Sequence, residues 1–317
     1  MRKTTMTDSI ELSVIIPVTE RNDDTVELFY DYKKGIEAVE MCYEIIYVLD
    51  GSFPDILDAL KQLVDSGERI TIITLAKWFG EAVALNVGFQ HASGNIILTL
   101  PAYRQISSDE LPRLIQALDG CDMVLARRWP RRDSWLNRFQ ASVFNILLRK
   151  VSKLQLHDVG CSVRAFKRRI VDEVYIYGDL HRFLPIMAFR YGFKIRELKV
   201  AQSDSDVFKR IYPIGLYIRR LLDLLTIFFL IKFTKKPLRF FGLLGISTCT
   251  VGLIATLYLV TERLFFGVDL STRPALILSS LFIVLGVQIL AMGLIGEIII
   301  FTHAKEMKEY TIDEIIN

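Results

Sequence analysis

Two long stretches almost free of charge constrain this chain more than any other feature. The first runs Leu238–Val260, LRFFGLLGISTCTVGLIATLYLV, and the second runs Pro274–Phe301, interrupted only by Glu297 near its end. Each exceeds the roughly 20 residues that cross a hydrocarbon core of about 30 Å. A core helix of a soluble domain is the alternative, but such helices rarely stay apolar on every face for so long. The sequence therefore predicts membrane helices over 238–262 and 274–301, with 302–317 as a tail. The mean hydropathy of +0.33 is concentrated in this half. Residues up to about 205 mix charged and apolar segments as a soluble domain does.

Orientation follows from the flanks. Lys232, Lys235, Lys236 and Arg239 precede or open the first run, and His303, Lys305 and Lys308 follow the second. The connecting loop has Arg263 and Arg273, offset by Glu262 and Asp269. The positive-inside rule puts both termini and the large domain in the cytosol of a multi-pass protein in a bacterial-type inner (plasma) membrane. The apolar run Leu12–Val18 is too short for a signal peptide. Four cysteines (Cys42, Cys121, Cys161 and Cys249) show no C-x-x-C spacing and read as small buried apolar groups. A net charge of +3 is too weak to imply a nucleic-acid partner.

Within the first 205 residues, strand-length apolar runs alternate with helical stretches. The runs are Leu12–Pro17, Glu44–Asp50, Ile70–Leu75, Ile96–Leu100 and Asp122–Ala126; the helices are Asp23–Val39, Pro54–Ser66, Gly80–Ala92 and Ser108–Leu118. This alternation predicts an α/β fold with a doubly wound, mostly parallel sheet covered on both faces. Ligands of such sheets bind beyond the carboxyl ends of the strands. Here those ends carry Pro17 to Glu20, Asp50 to Ser52, Ala76 and Lys77, Pro101 to Gln105, and Arg127 with Arg128. No G-x-G-x-x-G follows the first strand, so a dinucleotide-binding site is not indicated.

The order of segments carries a resemblance. LSVIIPVTERND, YEIIYVLDGS and WFGEAVALNVGFQHASGNIILTL are similar to family 2 glycosyltransferases with a GT-A fold. DVGCSVRAFKR, RFLPIMAFRYGFKIRELKV, FTKKPLRFFGLLG and GLIGEIIIFTHAK resemble the polyprenyl-phosphate branch, of the dolichol-phosphate mannose synthase type. The resemblance implies a nucleotide-sugar donor (UDP- or GDP-sugar), a polyprenyl-phosphate acceptor, an inverting transfer and a possible homo-oligomer. It places Pro17, Glu20 and Asp50 at the nucleoside pocket, although this chain has Leu49-Asp50 where the family has two carboxylates. For Asp50, a turn cap beside Gly51 is the competing role.

The main departure lies after the fourth strand. The family's Asp-x-Asp, which binds Mg²⁺ or Mn²⁺, is replaced by Pro101-Ala102-Tyr103-Arg104-Gln105. Hard cations require oxygen ligands such as carboxylates, so no metal site carries over. Ala102, Arg104 and Gln105 remain donor-side candidates, with Arg104 expected to supply the missing positive charge. Arg127 and Arg128 are the better phosphate candidates in a basic stretch that also holds Arg131, Arg132 and Arg138 ahead of a predicted helix, Ser134–Val151. By resemblance Asp158 orients the acceptor or takes up a proton, and Arg164 binds phosphate; the alternative is a turn cap with the two paired to each other. His157 reads as a partner of a neighbouring loop. His181 and Arg182 are expected at the same edge as phosphate ligands. Residues 206–237 predict amphipathic helices in the membrane interface. Two further readings stay open: a degenerate lipid- or nucleotide-binding scaffold, and transfer to a different lipid hydroxyl with Asp158 as base.

Overall fold

Strand and helix alternate as the apolar pattern requires. The protein's structure, a computed structural model, describes residues 10–131, 154–174, 178–206, 237–267 and 274–303, with isolated positions at 146, 149, 215, 222, 225 and 226. The predicted helix Ser134–Val151, the interfacial helices of 206–237 and the tail lie outside the described residues, apart from a few positions at their ends or within them. The chain divides into two compact units: Met1–Leu224 with Glu309–Asn317, and Leu225–Lys308.

In the first unit, β1 (Leu12–Val18), α1 (Thr25–Glu37), β2 (Tyr43–Leu49), α2 (Pro54–Asp65), β3 (Ile70–Thr74), α3 (Glu81–His91) and β4 (Ile96–Thr99) follow one another. Then come α4 (Leu111–Gln116), β5 (Met123–Arg128), β6 (Arg164–Lys167), α5 (Arg169–Glu173), a 3-10 turn (Gly178–Phe183), α6 (Leu184–Arg190) and β7 (Ile195–Val200). Among the described residues the strands form one seven-stranded sheet in the order β3-β2-β1-β4-β6-β5-β7. β1 pairs in parallel with β2 and β4, β2 with β3, and β5 with β7. β6 runs antiparallel to both β4 and β5. Every residue of β1 is buried, as expected for a strand covered on both faces. The edge strand β7 exposes Arg196 and Lys199, charges that discourage pairing with another chain.

β6 and β7 were not anticipated from the sequence. RAFK is short and bracketed by cations, and IRELKV interleaves charges, so neither reads as a continuous apolar run. The first five strands and first four helices fall where the pattern placed them. Asp24 caps α1 by accepting from the amides of Val26 (3.1 Å) and Glu27 (2.9 Å).

The second unit is a pair of 30-residue helices, α7 (Pro237–Phe266) and α8 (Pro274–His303), both long and apolar enough to cross a membrane. They extend the expected spans of 238–262 and 274–301 by a few residues. Small residues let the two backbones touch. A Cβ added at Gly245 would sit 2.7 Å from the Gly286 carbonyl oxygen, and one at Gly286 would sit 2.6 Å from the Cys249 nitrogen. Thr256 Oγ1 lies 3.0 Å from Ser279 Oγ across the pair. Glu297, the charge within the second apolar run, accepts from the Leu238 amide at 3.3 Å. That amide belongs to the first turn of α7, where no carbonyl of the helix itself is in reach.

Candidate active site

The sheet order reverses direction between β1 and β4. β2 and β3 extend to one side of β1 and β4 lies on the other, so the loops leaving β1 and β4 part around a crevice. In open α/β sheets this switch point is the binding position. β6 adds to it because it is antiparallel: its first residue, Arg164, sits opposite Thr99 at the carboxyl end of β4.

The residues expected on the nucleoside side are divided. Pro17 is buried within β1, whereas Glu20 is exposed beyond it. Asp50 is 1% exposed, and its two oxygens accept from the amides of Phe79 (2.7 Å) and Gly80 (2.8 Å). Both oxygens are thus spent on loop amides 29 and 30 residues away, not on the local Gly51 turn. Asp50 ties the end of β2 to the entry of α3, where Gly80 at φ +104° supplies a left-handed conformation that other residues resist. The tie presents Trp78 and Phe79 at the rim, 59% and 47% exposed.

The loop that replaces Asp-x-Asp is pinned by its neighbours. The Tyr32 hydroxyl lies 3.0 and 2.9 Å from the carbonyl oxygens of Pro101 and Tyr103, and the Ala102 carbonyl accepts from the Asp23 amide at 2.9 Å. Arg104 turns toward α1: its amide donates to Asp23 Oδ2 (2.8 Å), while its guanidinium faces Glu27 (3.3 Å) and Asp31 (3.4 Å). Its charge is therefore largely matched by α1. Gln105, 2% exposed, donates to the Tyr103 hydroxyl (3.1 Å) and accepts from the Ser162 amide (2.8 Å). The carbonyls of Pro101, Ala102 and Tyr103 are engaged and no side-chain carboxylate stands on this loop. Among the described residues no group of three His, Cys, Asp or Glu side chains is arranged to hold a cation. The family's divalent-metal site does not fit these residues.

Arg128 and Asp158 form the buried centre of the site. Arg128 Nε and Nη2 donate to the two oxygens of Asp158 at 2.8 and 3.0 Å, and Nη1 donates to Asp206 at 3.0 Å. Arg131 approaches Asp158 at 3.7 Å, and Arg21 reaches the second oxygen of Asp206 at 3.1 Å. Burial opposes ionisation of Asp158, but the hydrogen bonds and charge of Arg128 outweigh it and hold the carboxyl below its ordinary value. Asp206 goes the other way, because its burial exceeds what Arg128 and Arg21 return. Asp158 thus pairs with Arg128 and not with Arg164. His157 is held by Glu197 of β7, with its amide at 2.6 Å and Nδ1 at 2.8 Å. Arg127 lies beside the Trp129 ring, 5.4 Å from its centroid.

At the ends of β1 and β4, a crevice is lined by Pro17, Leu100, Ser162, Arg164, His181 and Glu81. Arg164 Nη1 donates to the His181 carbonyl at 2.7 Å, and its Nε has no hydrogen-bond partner among the described residues. Burial pushes this guanidinium down to about 10. His181 is 6% exposed, and its Nε2 lies 3.1 Å from Glu81 Oε2, off the line of a well-directed hydrogen bond. Burial would raise the Glu81 carboxyl, but His181, Arg182 and Arg164 lower it overall. Arg182 itself is exposed.

Glu81, Arg21 and Asp206 were absent from the sequence-derived candidates. Glu81 opens the helix that follows β3, at the carboxyl edge of the sheet, which was a usable signal. Arg21 and Asp206 stand 185 positions apart in the chain, and no local pattern announces that pairing.

Comparison with known proteins agrees with this fold. The sequence model of glycosyl transferase family 2 matches residues 13–175. The undecaprenyl-phosphate 4-deoxy-4-formamido-L-arabinose transferase of Sodalis glossinidius is 29% identical over 312 residues, covering 97% of this chain and 94% of the relative. The enzyme of the same name from Proteus mirabilis is 29% identical over 311 residues, covering 96% and 94%. Among solved structures, glucosyl-3-phosphoglycerate synthase from Mycobacterium tuberculosis, with Mn²⁺, UDP and phosphoglyceric acid, superposes with a TM-score of 0.51 at 18% identity. That likeness covers 68% of this chain and 78% of the synthase, and it bears out the GT-A fold. By fold and by sequence, the chain belongs to glycosyl transferase family 2.

Proposed function

We propose that this chain is a membrane-bound transferase that moves a sugar from a UDP- or GDP-sugar to a polyprenyl phosphate at the cytosolic leaflet. The observation that carries the reading is the extent of the likeness. Relatives named as undecaprenyl-phosphate sugar transferases align over 97% of the chain, through both apolar helices as well as the sheet domain. The basic flanks of those helices support a cytosolic sheet domain and cytosolic termini.

In this reading an ionised phosphate oxygen of the lipid attacks the anomeric carbon from the face opposite the leaving group. The new bond joins that carbon to the lipid phosphate, and the bond to the nucleotide's β-phosphate oxygen breaks, so the nucleoside diphosphate leaves and the configuration inverts. The donor's base and ribose lie beside the Trp78–Phe79 rim and Pro17, with Glu20 at the mouth. Ala102 and Gln105 shape the donor-side wall, and Arg127, Arg182 and Arg164 face the phosphates. His181 with Glu81 offers polar groups to the sugar. Such an acceptor needs no general base, which suits an Asp158 committed to Arg128. A lipid hydroxyl acceptor would need one. The replaced Asp-x-Asp favours a second reading, a scaffold that binds without transferring.

The test is to incubate the purified full chain in detergent with labelled nucleotide sugars and undecaprenyl phosphate. Lipid-linked sugar is the expected product. Nucleotide or lipid binding with no product from any donor would instead establish the scaffold reading.

A further inference from the structure

A diphosphate leaving group needs positive charge beside it, and the loop after β4 carries no carboxylate to hold a cation there. Arg104, the arginine of that loop, faces Glu27 and Asp31 on α1. A different arginine stands over the loop. Arg21, three residues beyond β1, lays its guanidinium against the Tyr103 ring, 3.7 Å from the ring centroid. Tyr103 occupies the last position of the Pro101-Ala102-Tyr103 stretch where the family has Asp-x-Asp.

Several observations fix Arg21 in this place. Its Nη1 donates to Asp206 at 3.1 Å, and the other oxygen of Asp206 is taken by the buried Arg128. Tyr103 is fixed in turn, because its hydroxyl accepts from Gln105, which also holds the Ser162 amide. A planar guanidinium clamped between a ring face and a carboxylate has lost most of its rotational freedom before any ligand arrives. It still has donors to offer. Arg21 is 41% exposed, and among the described residues Asp206 is its only ion-pair partner, engaging one of five N–H groups. The location is the one the sheet topology selects, since Arg21 leaves β1 and Tyr103 follows β4, the two strands that flank the switch point.

We infer that Arg21, stacked on Tyr103 and anchored by Asp206, binds the donor's diphosphate in place of the divalent metal of the family. The inference rests on the transferase reading and adds the residue that holds the donor. A guanidinium meets two phosphate oxygens with paired N–H groups, and it is placed where charge collects as the anomeric bond breaks.

Equilibrium binding of UDP and GDP to the detergent-solubilised full chain tests this without turnover. In EDTA the wild-type protein is expected to bind one of them, with affinity changed less than twofold by added Mn²⁺ or Mg²⁺. Arg21→Ala is expected to weaken binding at least tenfold, with a thermal unfolding curve reporting that the protein is folded. Should Arg21→Ala fail to fold, Arg21→Lys keeps the charge without the planar fork, and a several-fold loss is expected. Undiminished binding by the folded variants overturns the inference, as does a loss confined to Arg104→Ala. Binding that appears only with Mn²⁺ or Mg²⁺ overturns it while leaving the transferase reading standing. No binding of either nucleotide under any condition overturns both.

Discussion

Asp158 gives both carboxylate oxygens to the guanidinium of Arg128, at 2.8 and 3.0 Å, with the two side chains 2% and 7% exposed. The pair joins the end of β5 to the turn that leads into β6, and through Asp206 it reaches Arg21 at the rim. Asp158 is thus engaged as the partner of a buried cation.

The first prediction concerns that pair. Asp158→Ala leaves Arg128 buried with only Asp206 opposite, and breaking a buried pair from one side costs about 3–5 kcal/mol. Denaturant unfolding of the solubilised protein should show a loss of that order. Arg113→Ala removes a surface pair with Glu110 and should cost less than about 1 kcal/mol. Equal losses in the two variants would mean that the buried pair is not made.

Acid should act through the same group. The Asp158 carboxyl is depressed in the folded state: burial raises it, but Arg128 more than compensates. Asp122 behaves alike, held down against its burial by the Lys194 amide and by Arg169 and Lys167. A depressed carboxyl contributes stability that is present above its unfolded value, near pH 4, and is lost as pH falls through the folded value. Asp206, whose carboxyl is raised, works in the opposite sense and returns part of the loss. Unfolding midpoints should therefore fall steeply below about pH 4, and Asp158→Asn should make that fall shallower. A profile of unchanged steepness in the variant would rule out this assignment.

Asp50→Ala removes the acceptor of two loop amides. Leaving them unsatisfied costs about 1–3 kcal/mol, and the Phe79 and Gly80 amides lose their protection. Hydrogen exchange across residues 78–80 should accelerate markedly while the strand amides of β1 stay slow. Unchanged exchange at 78–80 would show that the loop is held by something other than Asp50.

In the helix pair, Gly286→Leu has no room, since even a Cβ would meet the Cys249 nitrogen at 2.6 Å. Forcing the backbones apart should cost about 1–3 kcal/mol, seen as a lower thermal midpoint in detergent. Leu243→Ala alters a side chain that is 75% exposed and should leave the midpoint unchanged. A tolerated Gly286→Leu would argue against the close crossing.

Local pattern made much of this protein legible. The two apolar runs announced two long helices, because only apolar contacts tolerate so many uncharged residues in sequence. Continuous β-branched runs announced β1 to β5, and the strand ends pointed to the edge where Arg128, Arg164 and His181 gather. The sequence also exposed the missing metal carboxylates at Pro101 and Tyr103. It could not say which arginine stands over that loop. Arg104 was the natural choice because it is adjacent in the chain, yet α1 places Glu27 and Asp31 within reach of its guanidinium. Arg21 gains its place from Tyr103 and Asp206, 82 and 185 residues away. Strand and helix periodicity are written within a few residues of one another, so sequence determines them. Which arginine lies against Tyr103 and which is matched by α1 depends on charge pairing across the fold, and only the tertiary structure decides it.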